Sequence, residues 1–203
     1  GRRDWLDAGE PYLAGGGAVR NVDVAQVEWA PAPHRHEAGS PNVLGAAAIA
    51  GACDALAAID PTELVAHEHF LADRLRTGLS AIPGADVVSI WSDSPDCVGI
   101  VAFTIADYAP GKVAAYLSAE HAIGIRDGRF CAHPLLANLG LDAALRASIG
   151  LGTTTADVDR LIGAVSALVT TGPAWTYAST DGHWNPTPET RPLTATSAEG
   201  ATP

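Results

Sequence analysis

The strongest constraint on the fold is a pair of long helical segments followed by a series of short strand-like segments. Residues 43–59 are rich in alanine and leucine, which favour helix. A second helix is predicted over residues 61–82, where leucines recur at helical spacing before a Pro-Gly pair ends the pattern. We expect the first of these two helices to be buried.

The rest of the chain mixes strands with helices. Thr154 is expected to cap the last helix, and a small hairpin is expected around Asp181 and Gly182. Such a mixture predicts an α/β or α+β domain with a small sheet covered by helices. The strands are predicted at residues 22–29, 87–91, 98–105, 121–125 and 145–151, and the further helices at 110–120 and 156–169.

Charge and composition exclude several partners. The 203 residues carry 23 acidic and 12 basic side chains, a net charge of −11, so we expect no binding to nucleic acid or to an anionic membrane. The longest uncharged apolar run, residues 43–53, is shorter than the ~20 residues that span a bilayer, and no signal sequence precedes it. We therefore expect a cytoplasmic protein. Methionine is absent, even at position 1, which predicts a fragment.

Three cysteines, Cys53, Cys97 and Cys131, show no repeated short spacing. An odd number without such spacing argues against a disulfide framework and a zinc knuckle, so reduced thiols are expected. The clustered histidines at positions 34 and 36 and at 67 and 69 lack further ligands at a recognisable interval, and no metal is expected. The glycine triplet at residues 15–17 lacks the strand and helix of a phosphate loop and is interpreted as a flexible turn.

The first chemically informative segment is RHEAGSPN, residues 35–42. Ser40 is suited to cap the following helix, with Pro41 as its first residue. One interpretation is simply a well-made helix start. The other is an anion site, because a helix N-terminus with a hydroxyl beside it favours phosphate.

The second segment contains Cys131 in an irregular loop flanked by Arg126, Arg129 and His133. Neighbouring cations favour the nucleophilic thiolate form of a cysteine. The alternative is a half-buried cysteine that fills space, as is expected of Cys53.

The third feature is Arg146, a lone arginine inside the apolar segment 145–150. A guanidinium in such surroundings needs a partner. A ligand carboxylate held by two hydrogen bonds is one candidate, and an internal aspartate or glutamate is the other.

In this order and spacing, the three segments resemble the C-terminal half of class V aminotransferase-fold enzymes, particularly the cysteine desulfurase and selenocysteine lyase branch, over about residues 13–169. Residues 35–42 resemble the family's R-x-E-A-G-[ST]-P-N segment, residues 124–134 resemble its G-I-x-[VIL]-R-x-G-x-x-C-A-x-P loop, and residues 146–161 resemble its closing R-[AV]-S motif. The resemblance implies that Gly39 and Ser40 bind the cofactor phosphate of a neighbouring subunit. It also implies that Cys131 accepts sulfur as a persulfide, and that Arg146, with Arg126 nearby, binds the substrate carboxylate.

The resemblance also implies an organisation. Residues 1–42 would end the large cofactor-binding domain of a fold-type I pyridoxal phosphate enzyme and contribute an interface segment. Residues 43–171 would form its C-terminal small domain. The composition past Gly172, rich in Pro, Thr, Ser and Gly, predicts that residues 172–203 are a tail with a hairpin, disordered from about residue 186. Lys112, the only lysine, matches no cofactor-binding motif. The family's cofactor lysine lies upstream of this segment, so the chain alone is expected to be inactive.

The implied function is a pyridoxal phosphate enzyme that acts on an amino acid such as cysteine, forms a homodimer and passes sulfur to an acceptor protein. Arg129 and Phe130 stand where the desulfurase branch usually has two histidines. This departure keeps open a related aminotransferase, epimerase or other lyase, with Cys131 not catalytic. A third reading is a non-catalytic, dimerising chain that lacks the cofactor lysine.

Overall fold

A computed structural model of the chain describes residues 1–91 and 98–191. Two compact units divide the chain, Gly1–Ile59 and Asp60–Pro203. Cys97 and the predicted tail beyond residue 191 lie outside the described residues. Among the described residues no single helix is both long and apolar enough to cross a membrane. Only the two helices Val43–Ala57 and Pro61–Ser80, taken together, reach that length and apolar character.

The first unit contains two helices and a small hairpin. The hairpin strands pair antiparallel, and a single 3-10 turn, His34–His36, precedes the second helix. The elements are α1 (Arg3–Ala8), β1 (Val19–Val22), β2 (Val27–Trp29) and α2 (Val43–Ala57).

The start of α2 differs from the prediction. Its N-cap is Asn42, whose side-chain oxygen accepts a hydrogen bond of 2.8 Å from the backbone N–H of Gly45. Ser40 therefore does not cap the helix, and Pro41 lies before it. Serine and asparagine are about equally suited to capping, so the sequence alone could not choose between two candidates only two residues apart.

The expected burial of α2 is wrong. None of its residues is buried, and Leu44 and Ile49 are 85% and 67% exposed. Cys53, expected to fill space on this helix, is exposed as well. Alanine-rich composition predicts the helix through its backbone propensity, but it does not determine which other element covers the helix.

The second unit contains a four-stranded sheet with helices packed on it, followed by a hairpin. Its elements are α3 (Pro61–Ser80), β3 (Ala85–Val87), β4 (Ile100–Ile105), α4 (Pro110–His121), β5 (Arg126–Gly128), α5 (His133–Asn138), β6 (Ala144–Ser148), α6 (Thr155–Thr171), β7 (Tyr177–Thr180) and β8 (His183–Pro186).

The four-stranded sheet has the order β3-β4-β6-β5, and every neighbouring pair is antiparallel. Val101, Phe103 and Leu145 point to one face and join a buried core with residues of α3, α4 and α6. Because side chains alternate along a strand, Arg146 and Arg126 belong to the other face. The sheet thus has helices on one side and the arginines on the other.

Three predicted strands differ from the structure. In place of the one strand predicted over residues 22–29, the first unit has the hairpin of β1 and β2. No strand forms over residues 121–125, because α4 continues to His121 and Ala122 then adopts a left-handed conformation, with φ of 54°, before β5 begins at Arg126. The strand predicted over 87–91 ends at Val87. The short helix α5 was not predicted. The remaining helices and strands of the second unit are confirmed within a few residues.

Helices α3 and α6 pack closely against each other. Arg74 donates two hydrogen bonds of 2.7 and 2.8 Å to the carboxylate of Asp159, which lowers the pKa of that carboxyl. At Gly78 an added Cβ would lie only 2.3 Å from the side chain of Ile162, so the absence of a side chain allows the close approach. Thr154 caps α6 as predicted.

The hairpin β7–β8 is held on α4 by one carboxylate. Glu120 accepts hydrogen bonds from the backbone N–H groups of Ala174 and Trp175, at 3.0 and 3.1 Å, and from the hydroxyl of Tyr177 at 2.8 Å. Burial of Tyr177 and its bond to Glu120 raise the pKa of the phenol. A hairpin therefore lies where the sequence led us to expect one.

Candidate functional site

The most informative feature of the sheet is a pair of arginines on its helix-free face. Arg126 of β5 lies directly opposite Arg146 of β6. Side chains opposite each other on antiparallel strands have Cβ atoms about 5 Å apart, and like charges in such pairs are destabilising. Neither arginine forms an ion pair with any carboxylate of the described residues. The pair is therefore suited to an anion that is not part of the described chain.

Arg146 has a specific unmet requirement. Its Nε atom is buried and has no hydrogen-bond partner. A buried donor without an acceptor is costly, more so when it carries charge. Among the described residues, no internal aspartate or glutamate meets this requirement, whereas a carboxylate ligand could accept bonds from the edge of the guanidinium.

The aromatic ring of Phe130 contacts the head group of Arg146. The guanidinium carbon of Arg146 lies 5.4 Å from the centroid of the Phe130 ring, within cation–π range. Sequence reasoning noted Phe130 only as a departure from a family pattern. Its position next to Arg146 depends on the fold of the loop, which no local sequence pattern indicates.

Cys131 follows directly after Phe130, in the loop between β5 and α5. Its side chain is exposed, so the space-filling alternative does not describe it. Both Phe130 and Cys131 have φ of 55°, a left-handed conformation that is uncommon for residues other than glycine. Arg129 supports the turn, with its carbonyl accepting from the N–H of Ala132 at 2.8 Å. The loop therefore presents an accessible thiol one residue away from the arginine site.

The segment of residues 35–42 is shaped mainly by backbone contacts. Arg35 donates to the carbonyls of Ala30 and Asp7, at 3.0 and 2.9 Å, which gives this arginine a structural role. A Cβ at Gly15 would lie 1.5 Å from the carbonyl oxygen of Ala38. A turn does form at the glycine triplet, closed by a hydrogen bond of 3.0 Å from the N–H of Ala18 to the carbonyl of Gly15, and Gly15 in addition permits close contact with this segment.

Gly39 and Ser40 are exposed in the first unit. An added Cβ at Gly39 would meet nothing within 4 Å, so there is open space beside it. This openness is compatible with a bound phosphate. The two residues belong to a different unit from the arginines, and each unit is described by itself.

Lys112 does not resemble a cofactor-binding lysine in its surroundings. It lies in the first turn of α4, and its ammonium group is 5.4 Å from the centroid of the Tyr108 ring. Within residues 1–91 and 98–191, no group of three or more His, Cys, Asp or Glu side chains could hold a metal ion.

A pocket of about 380 Å³ lies apart from the arginines, between the α4–β5 connection, the end of β6 and the start of α6. Ser148, Thr153 and Asp157 supply polar groups to its lining, together with several isoleucines and leucines. None of the predicted site residues lines it, so the chemistry is better placed at the arginine pair.

Comparison with known proteins supports the family. The family model for aminotransferase class V matches residues 1–161. A probable cysteine desulfurase from Streptomyces coelicolor is 33% identical over 162 residues, covering 80% of this chain and 38% of the relative. The cysteine desulfurase CsdA of Escherichia coli is 34% identical and covers 81% of this chain and 40% of the relative.

Solved structures agree. The crystal structure of Escherichia coli CsdA in its S-sulfonic acid form matches with a TM-score of 0.68 and 32% identity, covering 83% of this chain and 41% of that one. The apo cysteine desulfurase of Thermococcus onnurineus matches with a TM-score of 0.69 and 30% identity over the same shares. The chain thus spans about two-fifths of the length of these relatives. The predicted α/β fold of fold-type I pyridoxal phosphate enzymes is confirmed, and the chain belongs to the class V aminotransferase family.

Proposed function

We propose that the protein containing this chain is a cysteine desulfurase-like enzyme, which uses pyridoxal phosphate to take sulfur from an amino acid such as cysteine. The observation that carries the proposal is the arginine pair, in which the buried Nε of Arg146 lacks an acceptor and Arg126 lies directly opposite. Cys131, an exposed thiol, lies one residue beyond the ring that contacts Arg146. Cysteine desulfurases among the relatives at 30% identity or more support the same activity.

Pyridoxal phosphate, the cofactor of class V aminotransferases, supplies an electron sink for charge that develops at the substrate Cα. In this chain, Gly39 and Ser40 would contact its phosphate, in the site of a partner subunit. Their exposure and the open space at Gly39 are compatible with that role. Lys112 is not assigned to the cofactor, so the lysine that holds it would belong to a part of the protein outside these 203 residues.

Arg146 would bind the substrate carboxylate through Nε and one terminal nitrogen. A guanidinium edge and a carboxylate are both planar and form two parallel charge-assisted hydrogen bonds. Arg126, opposite on β5, would add positive charge and lower the cost of bringing an anion to the sheet. This arrangement fixes the substrate by its carboxylate end and leaves its side chain free to point elsewhere.

Cys131 would act as the sulfur acceptor. Its thiolate attacks the sulfur of bound cysteine, a sulfur–sulfur bond forms, and the bond between Cβ and sulfur breaks. The carbon that loses sulfur gains a proton and leaves as alanine, while Cys131 keeps the persulfide. The exposed position of Cys131 would then allow transfer to a sulfur-acceptor protein.

The test is alanine and sulfide release from L-cysteine by the full protein loaded with pyridoxal phosphate. Cys131→Ala should abolish release, whereas Cys53→Ala, which removes the other described exposed thiol, should leave it unchanged. Arg146→Met should raise KM for cysteine at least about 100-fold, because a bidentate charged contact is lost. Undiminished alanine release by Cys131→Ala would refute the role of Cys131.

A second function is favoured by the residues before Cys131. Arg129 and Phe130 offer no group that exchanges protons near neutral pH, and a lyase step that depends on such a group would be slow. A transaminase, epimerase or other lyase of the same family would use the arginine site without the thiol. Amino-group transfer to a 2-oxo acid that persists in Cys131→Ala would identify it.

A protein that shows no visible cofactor absorbance at all would indicate the non-catalytic, dimerising alternative.

Assembly and location are part of the same proposal. A homodimer would bring residues 35–42 of one subunit to the cofactor of the other, and sedimentation of the full protein tests its stoichiometry. A cytoplasmic location is part of the proposal and is tested by cell fractionation.

A further inference from the structure

The head group of Arg146 lies on a sheet face where little holds it. Arg126 is directly opposite and repels it, the Nε donor has no acceptor, and no described carboxylate pairs with it. A long arginine side chain in these conditions would lose much rotamer freedom on being fixed. Some other contact is therefore required to keep the guanidinium in place before a ligand arrives.

Phe130 supplies that contact from one side. Its ring centroid lies 5.4 Å from the guanidinium carbon, and the ring is half-buried. A cation–π contact uses none of the hydrogen-bond donors of the guanidinium. The contact orients Arg146 without consuming its hydrogen bonds.

The backbone of Phe130 shows that this placement has a cost. A φ of 55° is unfavourable for a bulky residue, and Cys131 repeats it. Such conformations persist where the surroundings determine them strongly, and they cluster at functional sites. The cation–π contact between Phe130 and Arg146 is one contact that can offset the strain.

We propose that Phe130 is a positioning residue that holds the Arg146 guanidinium in place for the substrate carboxylate. The proposal deepens the proposed function and rests on it for the identity of the substrate. Phe130 itself needs no contact with the reacting atoms.

Calorimetric binding of 3-mercaptopropionate to the full protein gives a direct test. This probe has the carboxylate and thiol of cysteine but no amino group, so it cannot become linked to the cofactor. Phe130→Leu, which keeps apolar volume but removes the aromatic face, should weaken its Kd about tenfold, equal to about 1.4 kcal/mol. Phe130→Trp should restore binding to within about twofold of the original, and the control Phe70→Ala, on α3, should not change it.

Kinetics separate positioning from general damage. Phe130→Leu should raise KM for L-cysteine about tenfold while kcat changes less than about twofold. As a control, cysteamine, which lacks the carboxylate, should bind the original protein and all variants with equal affinity. Equal binding of 3-mercaptopropionate by the original protein and Phe130→Leu would overturn the proposal, as would a failure of Phe130→Trp to restore it at an unchanged melting temperature.

The two proposals fail in different ways. If the original protein binds 3-mercaptopropionate in a Phe130-dependent manner but releases no alanine from cysteine, the desulfurase function is wrong and the positioning role stands. If alanine is released normally but carboxylate binding does not depend on Phe130, only the positioning role is wrong.

Discussion

Replacing Gly78 by alanine should destabilise the protein, although alanine is the better helix former. In an open position on a helix this change stabilises by about 1 kcal/mol. At Gly78 the added Cβ would lie 2.3 Å from Cδ1 of Ile162, 2.9 Å from its Cγ1 and 3.3 Å from its Cγ2. Such overpacking costs about 1–3 kcal/mol, so the net change should range from about zero to a loss of about 2 kcal/mol.

Gly163 provides a matched control in the facing helix α6. It is exposed, and an added Cβ would meet nothing within 4 Å. Gly163→Ala should therefore gain about 1 kcal/mol from helix propensity alone. The two glycine-to-alanine changes should then differ by about 1–3 kcal/mol in free energy of unfolding, measured by urea denaturation followed by circular dichroism.

A double mutant decides whether Ile162 is the cause. In an Ile162→Ala background the colliding atoms are gone, and Gly78→Ala should become stabilising, like Gly163→Ala. If Gly78→Ala stabilises the otherwise unchanged protein by as much as Gly163→Ala does, the close packing of α3 on α6 described above is refuted.

Three further predictions concern the hairpin and the final helix. Glu120→Gln should loosen β7–β8 by about 1–2 kcal/mol, because an amide is a weaker acceptor for its three donors, and chymotrypsin should cut after Trp184 of β8 about tenfold faster. The raised pKa of Tyr177 contributes stability that is present below the unfolded value of about 10 and is lost as pH rises above it, so Tyr177→Phe should flatten the alkaline decline in melting temperature. Thr154→Ala should cost about 1 kcal/mol by removing the capping hydroxyl, and Thr154→Ser should restore most of it. An unchanged cutting rate in Glu120→Gln would contradict the first prediction. An alkaline decline in melting temperature as steep in Tyr177→Phe as in the original protein would contradict the second, and an unchanged urea midpoint in Thr154→Ala the third.

Most of the secondary structure could be predicted because its signals are local. Helical spacing of leucines in α3 and the cap at Thr154 depend on residues close in sequence, and the structure agrees with both. The misplaced strand over residues 121–125 has a local cause of a different kind. Ala122 adopts a left-handed backbone conformation, which is uncommon for alanine and which the sequence around it does not indicate.

The sequence offered individual candidate residues for the site, but it did not predict how they lie relative to one another. Arg126 and Arg146 are 20 positions apart, and their opposition depends on which residues of β5 and β6 pair. A shift of one residue would place one of them on the other face. The contact of Gly15 with Ala38 and that of Phe130 with Arg146 also join residues distant in sequence, for which no periodic pattern exists.

The strand order has a consequence for synthesis on the ribosome. The sheet runs β3-β4-β6-β5, so β6, the last of the four strands in the chain, lies between two that are made earlier. Until residues 144–148 emerge, β5 has no strand to pair with, and Arg126 is present without Arg146. A nascent chain stalled before Ala144 can form the β3–β4 pair, but the face that carries both arginines is assembled only when β6 inserts between β4 and β5.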